Sequence, residues 1–381
     1  MTRVDLAVVG GGPAGRACAL RACRRGLSVA QFEPQGAVFD KPCGEGILPA
    51  GVAALRALGL EAAVREGLEL DAIGYFIAGV GPLRVALPRA GCALARPRLL
   101  AHFDAALAGE AALAGEAALL RVPARARVAR SAGGFAVEGG GARFEARTLA
   151  LADGMGGAGG GLGGELAPWR RRRRRARRGE RLGLRARFAA CGLDGVEVHL
   201  GAGCEVYLTP LAGGVVNAAV LLAASDCPVG GGRGGRGARA IFEWALARHP
   251  AARARLGRPE TPPELRALGA PAPRRRSDGR AFLVGDAGGS VDPIAGCGVS
   301  IALCTGIAAA DAAARALAGE APGRVGKAYE AFFERQVRGP QRLAALLVEC
   351  ARRPRLARAL AGVGRRAPRA LASLAALAAG G

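Results

Sequence analysis

The sequence predicts an α/β fold in which a parallel-sheet domain is interrupted by an inserted antiparallel sheet and followed by C-terminal helices. Three observations lead to this prediction. A strand, a glycine-rich turn, a helix and a second strand follow one another in residues 4–33. Two later apolar runs, 148–152 and 281–284, have the short length of buried parallel strands. Residues 181–224 instead contain runs that alternate apolar and polar side chains, which is typical of antiparallel strands.

The charge of the chain says little about its function. The 381 residues include 54 lysines and arginines against 31 acidic residues, a net charge of +23. Such a charge is compatible with nucleic-acid binding, but only Lys41 and Lys327 are lysines. Arginine-rich, glycine-rich and lysine-poor composition together indicate the codon bias of a GC-rich genome. Aromatic residues make up 4% of the chain, which leaves few platforms for stacking single strands. No specific nucleic-acid partner is therefore expected.

The cysteines and the apolar runs favour a cytoplasmic protein. The ten cysteines form no C-x-x-C pair and no metal-like grouping with histidine, so reduced thiols and no metal are expected. The N-terminal residues reach Asp5 and a glycine run too early for a secretory signal. The uncharged window at residues 293–310 is interrupted by three glycines and is not predicted to span a membrane.

The glycine-rich turn after the first strand predicts a dinucleotide site. Its candidate pyrophosphate ligands are Gly10, Gly12 and Gly15, which stand in G-x-G-x-x-G register around Pro13 and Ala14. Such glycines permit a tight turn, close approach of a pyrophosphate and close helix–strand packing. The helix N-terminus offers unpaired N–H groups to phosphate. Glu33 ends the second strand, where an acid can accept ribose hydroxyls. Glycine tracts at 159–164 and 230–235 lack this strand–helix context and are interpreted as linkers.

Two later segments favour FAD over NAD as the bound dinucleotide. The first is the strand-like run at 148–152, which ends in Asp153-Gly154. The second is the strand at 281–284, which runs into Gly285-Asp286, where a carboxylate can bind the polyol chain of a flavin. A glycine-rich turn through Pro293, Gly296 and Gly298 then precedes an alanine-rich helix that extends to about residue 318. Helix N–H dipoles aimed at a flavin ring stabilise the negative charge that forms on reduction.

These motifs together resemble the FAD-binding fold shared by aromatic hydroxylases and geranylgeranyl reductases. Residues 41–46, K-P-C-G-E-G, are similar to the K-P-C-G-G-G segment of geranylgeranyl reductases. Residues 285–298 are similar to their G-D-A-A-G-x-x-x-P-x-x-G-x-G. The resemblance covers residues 1 to about 320 and implies a Rossmann-like FAD-binding domain of the aromatic-hydroxylase type.

The resemblance also implies the cofactor-binding residues. They are Gly10, Gly12, Pro13, Ala14, Gly15, Glu33, Cys43, Gly44, Arg96, Asp153, Gly285, Asp286, Pro293, Gly296 and Gly298. Asp286 would hold the ribityl chain, and Arg96 would contact FAD unless it is simply one more solvated arginine. Cys43, the one candidate catalytic residue, and Cys297 would flank the flavin ring, or each is a small buried hydrophobe. The residues after Asp153-Gly154 depart from the family pattern, so that contact stays open.

The domain boundaries are predicted from the same motifs. A discontinuous FAD-binding domain takes residues 1–70, 96–165 and 275–325, and a substrate-binding sheet takes 71–95 and 181–270. An arginine-rich linker, 166–180, joins them; it is interpreted as solvated, or as a contact for anionic lipid, phosphorylated substrate or nucleic acid. A helical region, 326–381, ends the chain. His199 and Tyr207 are the polar aromatic residues of the alternating segment 181–224 and either bind substrate or lie on its exposed face.

The resemblance implies an FAD-dependent oxidoreductase that acts on a hydrophobic small molecule. The main expectation is reduction of an alkene by reduced flavin, with NAD(P)H as a transient electron donor. One alternative is a monooxygenase that uses NAD(P)H and O₂ to hydroxylate or epoxidise an aromatic or isoprenoid substrate. The non-enzymatic alternative is a degenerate flavin-binding or arginine-rich nucleic-acid-binding protein. Residues 352–381 mix arginine with leucine and alanine, which favours peripheral contact with an anionic membrane or a simple surface helix.

Overall fold

The computed structural model describes most of the chain. The described residues are 1–36, 39–77, 81–115, 118–155, 181–190, 192–201, 203–228, 235–268, 273, 275–353, 355, 356, 358, 359 and 362. Four predicted segments lie wholly or mostly outside them: the glycine tracts at 159–164 and 230–235, the arginine-rich linker at 166–180, and the tail after residue 353.

Helices are interspersed with strands in the first third of the chain, strands dominate the middle, and two long helices follow the last strand. The strands of the first half are β1 (Thr2–Val9), β2 (Val29–Phe32), β3 (Gly46–Ile47), β4 (Leu68–Ile77), β5 (Gly81–Ala93), β6 (Leu119–Val122), β7 (Arg127–Ser131), β8 (Gly134–Gly139) and β9 (Ala142–Leu151). The strands of the second half are β10 (Arg181–Ala190), β11 (Val196–Gly201), β12 (Cys204–Leu211), β13 (Val215–Ala223), β14 (Leu256–Pro259), β15 (Glu264–Leu268) and β16 (Ala281–Leu283). The helices are α1 (Pro13–Arg24), α2 (Pro49–Ala57), α3 (Glu61–Glu66), α4 (Arg96–Ala114), α5 (Gly235–Arg248), α6 (Pro250–Arg253), α7 (Gly298–Leu317) and α8 (Pro322–Arg352).

The first sheet contains the predicted parallel strands. Its order is β6-β2-β1-β9-β8-β7, with β16 also paired to β9. β1 pairs in parallel with β2 and β9, β2 with β6, and β9 with β16. Because parallel strands end at the same edge, the residues that follow β1, β2, β9 and β16 meet there. These residues include Gly10, Glu33, Asp153 and Asp286.

The second sheet lies over that edge and is mostly antiparallel, as predicted. Its order is β14-β10-β13-β12-β11-β4-β5-β3, with β15 also paired to β10. The exception is the pair β4–β11, which is parallel, with Tyr75 opposite Val198. One face of this sheet packs against α5, where Ile241 and Phe242 join a buried cluster with Leu184. The other face looks toward the first sheet.

The helix that follows the Gly-Asp strand forms part of the core. Gly306 of α7 lies against α1 so closely that a Cβ there would be 2.5 Å from the Ala14 carbonyl oxygen. Ser300 of α7 receives a hydrogen bond from the Leu48 N–H at the start of α2 (3.0 Å). Among the described helices, α7 is the one long and apolar enough to cross a membrane by length and composition, but half of it is buried inside the protein. Its contacts are those of a core helix.

Candidate cofactor and substrate site

A cavity of about 460 Å³ lies between the two sheets. At one end it is lined by the glycine-rich turn that follows β1 and by Glu33. In the middle it is lined by Lys41, Arg96 and Asp286. The far end is lined by the inner face of the second sheet, including Tyr207. The cavity therefore joins the predicted nucleotide turn to the predicted substrate sheet.

The glycine-rich turn is shaped as the motif requires. Gly10 has a φ of +113°, a conformation that side chains other than glycine rarely adopt, and a Cβ there would overlap the Ala152 carbonyl. Gly15 packs directly on the Gly10 carbonyl, where a Cβ would not fit. A Cβ on Gly12, in contrast, would meet no described atom within 4 Å and would project into the cavity. This open space lies at the start of α1, whose N-terminus carries no side-chain cap from the described residues.

Glu33 and Arg16 hold the turn from two sides. The Glu33 carboxylate accepts hydrogen bonds from the N–H groups of Gly11 (2.7 Å) and Gln35 (2.8 Å) while it lines the cavity. Arg16 is fully buried and donates from Nε to the Gly11 carbonyl oxygen (2.6 Å). Its guanidinium also pairs with Asp104 of α4 (2.8 Å). The turn is thus fixed before any ligand binds.

Two cations and a carboxylate meet at the middle of the cavity. Burial lowers the pKa of the Lys41 ammonium, and the neighbouring Arg96 guanidinium lowers it further. Burial raises the pKa of the Asp286 carboxyl, while Lys41 and Arg96 both oppose that rise. Burial would lower the pKa of Arg96, but Cys43, Asp286 and Glu45 together hold it above its ordinary value. The Arg96 Nε is buried and has no hydrogen-bond partner among the described atoms.

The K-P-C-G-E-G segment ties this middle region to the second sheet. The Arg96 side chain hydrogen-bonds the Cys43 sulfur, and the Cys43 carbonyl oxygen accepts a hydrogen bond from Asn217 of β13 (2.9 Å). Glu45 is buried and accepts hydrogen bonds from the Arg96 N–H (3.1 Å) and from Arg187 of β10 (2.8 Å). The segment is therefore a shared wall between the nucleotide end and the sheet end of the cavity.

The loop before α7 presents backbone to the same space. Asp292 caps the 3₁₀ turn Pro293–Ala295 by accepting a hydrogen bond from the Ile294 N–H (3.1 Å). Gly296 follows with a φ of +65°. No described side chain caps the N-terminus of α7, and Gly298, at its first position, lines the cavity. An uncapped helix N-terminus at this place can stabilise negative charge on a bound ring.

Most of the predicted site residues come together around this cavity. Those that line it are Gly10, Gly12, Pro13, Ala14, Glu33, Cys43, Gly44, Arg96, Asp153, Asp286, Pro293, Gly296, Gly298 and Tyr207. Gly15 and Gly285 support it from behind, since Gly285 packs against Ala14 and its N–H donates a hydrogen bond to the Thr305 hydroxyl oxygen (3.0 Å). Cys297 is also behind the wall, and burial raises the pKa of its thiol to about 12.

His199 and Tyr207 differ in where they point. The prediction that they lie on an exposed face is wrong for both, since they are 2% and 9% exposed. Tyr207 lines the cavity. His199 lies on the opposite face of the second sheet, where it stacks on Phe76 and contacts Glu197 (3.0 Å). The structure therefore brings Tyr207, but not His199, to the other candidate residues.

Sequence reasoning missed five residues of the site. They are Arg16, Lys41, Glu45, Tyr75 and Arg187. Lys41 carried a signal, because a lysine within so arginine-rich a chain is unusual. Nothing in the sequence distinguishes Arg16 and Arg187 from the many other arginines of the chain. Glu45 stands where the similar segment has glycine, and that difference was the available clue.

These residues fit FAD. The space over Gly12 and the uncapped start of α1 have room and N–H groups for a pyrophosphate. The buried Arg96 Nε–H has no hydrogen-bond partner among the described atoms and can donate to an oxygen of the cofactor. Asp286 is placed to accept hydrogen bonds from a polyol chain. The described residues contain no group of three or more His, Cys, Asp or Glu that could hold a metal ion.

Comparison with known sequences gives short matches. No family model matches the chain. The chain is 41% identical over 78 residues to menaquinone reductase of Mycolicibacterium smegmatis, which is 19% of either chain. It is 48% identical over 56 residues to menaquinone reductase of Mycobacterium tuberculosis, which is 14% of that protein. The chain thus matches less than a fifth of the length of these relatives.

Comparison with solved structures covers nearly the whole chain. A flavin-dependent brominase superposes with a TM-score of 0.79 at 17% identity over 100% of this chain and 94% of its own. A geranylgeranyl bacteriochlorophyll reductase-like protein from Thermoplasma acidophilum gives 0.73 at 19% identity over 92% and 88%. A probable FAD-dependent monooxygenase from Pseudomonas aeruginosa gives 0.75 at 18% identity over 95% and 99%. The chain has the fold of these flavoproteins, which confirms the predicted fold class.

Proposed function

We propose that this protein is an FAD-dependent oxidoreductase that reduces a carbon–carbon double bond of a hydrophobic small molecule. One observation carries the proposal. The cavity that begins at the glycine turn, where Gly12 leaves room for a pyrophosphate, continues past Asp286 to an apolar sheet face. A cofactor bound along its first part would face a substrate bound in its second part.

The residues of the chain have distinct tasks in this proposal. The N–H groups at the start of α1 bind the pyrophosphate, and Glu33 binds the adenosine ribose. Lys41 and Arg96 add positive charge beside the dianionic pyrophosphate, and Asp286 orients the ribityl chain. The N-terminus of α7 stabilises negative charge that develops on the ring. The chemistry that bound FAD supplies is two-electron transfer, with NAD(P)H as the proposed donor and the substrate alkene as the acceptor.

The choice of reduction over oxygenation rests on two sequence similarities. The K-P-C-G-E-G segment is similar to that of geranylgeranyl reductases, and the short curated matches are to menaquinone reductases. The fold is shared with a probable FAD-dependent monooxygenase as well as with a reductase-like protein. The fold therefore supports flavin chemistry of either kind, and the two reactions must be separated by their use of oxygen.

The first test is the colour and the oxygen dependence of the purified protein. We expect bound FAD, seen by its absorbance bands, or uptake of added FAD by the colourless protein. NAD(P)H oxidation with a hydrophobic alkene should proceed equally with and without O₂. A protein that binds no FAD would contradict the flavoenzyme proposal. Substrate-stimulated NAD(P)H oxidation that requires O₂ would contradict the reductase proposal and support the monooxygenase.

The second test replaces the carboxylate at the middle of the cavity. Asp286→Asn removes a charged acceptor between Lys41 and Arg96, so FAD affinity should fall about 10- to 100-fold, as expected for one charged hydrogen bond. Fluorescence titration of apoprotein with FAD measures this. The matched control is Asp71→Asn, because Asp71 pairs with Arg84 on the surface (2.7 Å) and does not line the cavity. Equal affinities in the two variants would contradict the assigned role.

A further inference from the structure

The far half of the cavity is a nearly apolar sheet face. Tyr75, Val198, Tyr207 and Ala219 lie side by side across β4, β11, β12 and β13 in this face, each opposite the next in the strand register. Neighbouring cavity residues on the same face are apolar, among them Ile73, Val196 and Leu221. The polar side chains that line the cavity from β4, β11, β12 and β13 are Tyr75, Tyr207 and Thr209.

The hydroxyl of Tyr207 has no partner in this face. The residue is 9% exposed, it lines the cavity, and its Oη has no hydrogen-bond partner among the described atoms. Buried hydroxyls are nearly always paired, because an unpaired one has lost its water without replacement. The chain provides a direct comparison: Tyr329, also buried, donates to the Leu283 carbonyl oxygen (2.8 Å). The Tyr207 hydroxyl thus lacks what an equally buried tyrosine has.

The surroundings of Tyr207 determine which partner suits it. Burial raises the pKa of the Tyr207 phenol well above its ordinary value, and the nearby Glu205 raises it further. The phenol therefore keeps its proton and is a hydrogen-bond donor. The carboxylates of Glu205 and Asp292 are close enough to disfavour an anionic ligand beside the Tyr207 hydroxyl. Arg181, which pairs with both carboxylates, offsets part of this repulsion. A neutral acceptor in an apolar molecule fits these conditions.

We propose that the Tyr207 hydroxyl donates a hydrogen bond to a carbonyl oxygen of the substrate. The substrate is then an apolar ring or chain that carries a ketone or quinone carbonyl, and a pure hydrocarbon binds less well. This inference rests on the proposed function, because it assigns the substrate end of the same cavity. It adds a chemical class that the fold does not provide.

The test compares two small probes that differ by one carbonyl oxygen. Binding of 1-tetralone and of tetralin to the purified protein, with its FAD content recorded, is measured by equilibrium dialysis. We expect 1-tetralone to bind about three- to tenfold more tightly than tetralin, the range for one net hydrogen bond. In Tyr207→Phe this preference should disappear. In the matched control Tyr329→Phe it should remain.

Stability distinguishes a ligand-binding hydroxyl from a structural one. Tyr207→Phe removes an unpaired hydroxyl, so its urea midpoint should equal or exceed that of the wild type, whereas Tyr329→Phe should unfold at lower urea. Equal binding of the two probes, binding of neither, or a preference that survives Tyr207→Phe would overturn the inference. When one of these results is obtained with protein that binds FAD, only the role of Tyr207 is contradicted and the proposed function stands. A protein that binds no FAD contradicts the proposed function itself.

Discussion

Glu45 adopts a backbone conformation that its residue type does not favour. Its φ is +59°, and among the described residues it is the one non-glycine with a positive φ. For an L-residue this left-handed conformation costs about 1–2 kcal/mol. The side chain is fully buried, and its Oε1 accepts hydrogen bonds from the Arg96 N–H (3.1 Å) and from Arg187 (2.8 Å). These two contacts offset the cost of this conformation at a position where the similar segment has glycine.

Replacing Glu45 separates the strain from the contacts. Glu45→Gly relieves the strain but removes the hydrogen bonds of a buried carboxylate to the Arg96 N–H and to Arg187, a loss of about 2–4 kcal/mol that exceeds the gain. Glu45→Ala keeps the strain and also removes these hydrogen bonds. We therefore expect unfolding free energies in the order wild type, Glu45→Gly, Glu45→Ala, with about 1–2 kcal/mol between the two variants. Urea unfolding measures this order.

A different order of the three unfolding free energies would change the relative sizes of the backbone strain and the side-chain contacts at Glu45. If Glu45→Gly were as stable as the wild type, the contacts to Arg96 and Arg187 would contribute no more than the strain costs. If Glu45→Ala matched Glu45→Gly, the positive φ at this residue would carry no cost.

The contact between α1 and α7 connects packing to cofactor binding. A Cβ on Gly306 of α7 would lie 2.5 Å from the Ala14 carbonyl oxygen and 2.9 Å from the Ala17 Cβ. Ala14 is at the N-terminal end of α1, beside the predicted pyrophosphate position. A wider helix separation would therefore also move the N–H groups that bind phosphate.

Gly306→Ala should lower both stability and FAD affinity. Overpacking of this kind costs about 1–3 kcal/mol in unfolding free energy. The matched control is Gly109→Ala in α4, where a Cβ would meet no described atom within 4 Å. That variant should gain about 0.5–1 kcal/mol, because alanine favours a helix over glycine. Urea unfolding and FAD titration of both variants measure this; a Gly306→Ala protein that resembles Gly109→Ala would contradict the packing argument.

The elements show how far the sequence could predict the molecule. The glycine turn and the strands that end in Asp153-Gly154 and Gly285-Asp286 were predictable because each motif couples a local conformation to one edge of a parallel sheet. The orientation of β11 was not, since period-two alternation shows that Glu197 and His199 share a face but not which face lines the cavity. The parallel pairing of β4 with β11 joins residues about 120 positions apart and leaves no local signal.

At the scale of the whole molecule, Arg181 joins the second sheet to the loop before α7. It pairs with Glu205 of β12 and reaches Asp292 at 3.7 Å. Arg185 of the same strand pairs with Asp40, next to the K-P-C-G-E-G segment (2.9 Å). The two halves of the cavity are thus held together by ion pairs as well as by the apolar core. The position of the sheet over the cavity should depend on the charges of these groups.

The buried Glu205 carboxyl beside Arg181 predicts a pH dependence of stability that Glu205→Gln removes. Burial raises the pKa of Glu205 to about 7, despite the opposing charge of Arg181. Between about pH 4.5 and 7 the folded protein then binds more protons at Glu205 than the unfolded chain, so stability falls as pH rises through this range. The contribution is fully present below about pH 4.5 and lost above about 7.

We expect the urea midpoint of the wild type to fall more steeply from pH 5 to pH 8 than that of Glu205→Gln. Glutamine has nearly the same shape and does not titrate, so other titrating groups contribute equally to both proteins and cancel in the difference. Among these, burial lowers the pKa of His249, which changes stability in the opposite sense in both. Parallel pH profiles for the two proteins would show that Glu205 titrates alike in the folded and unfolded states. A steeper fall of the urea midpoint with pH in the wild type would instead show that burying the charged Glu205 carboxylate lowers the free energy of unfolding.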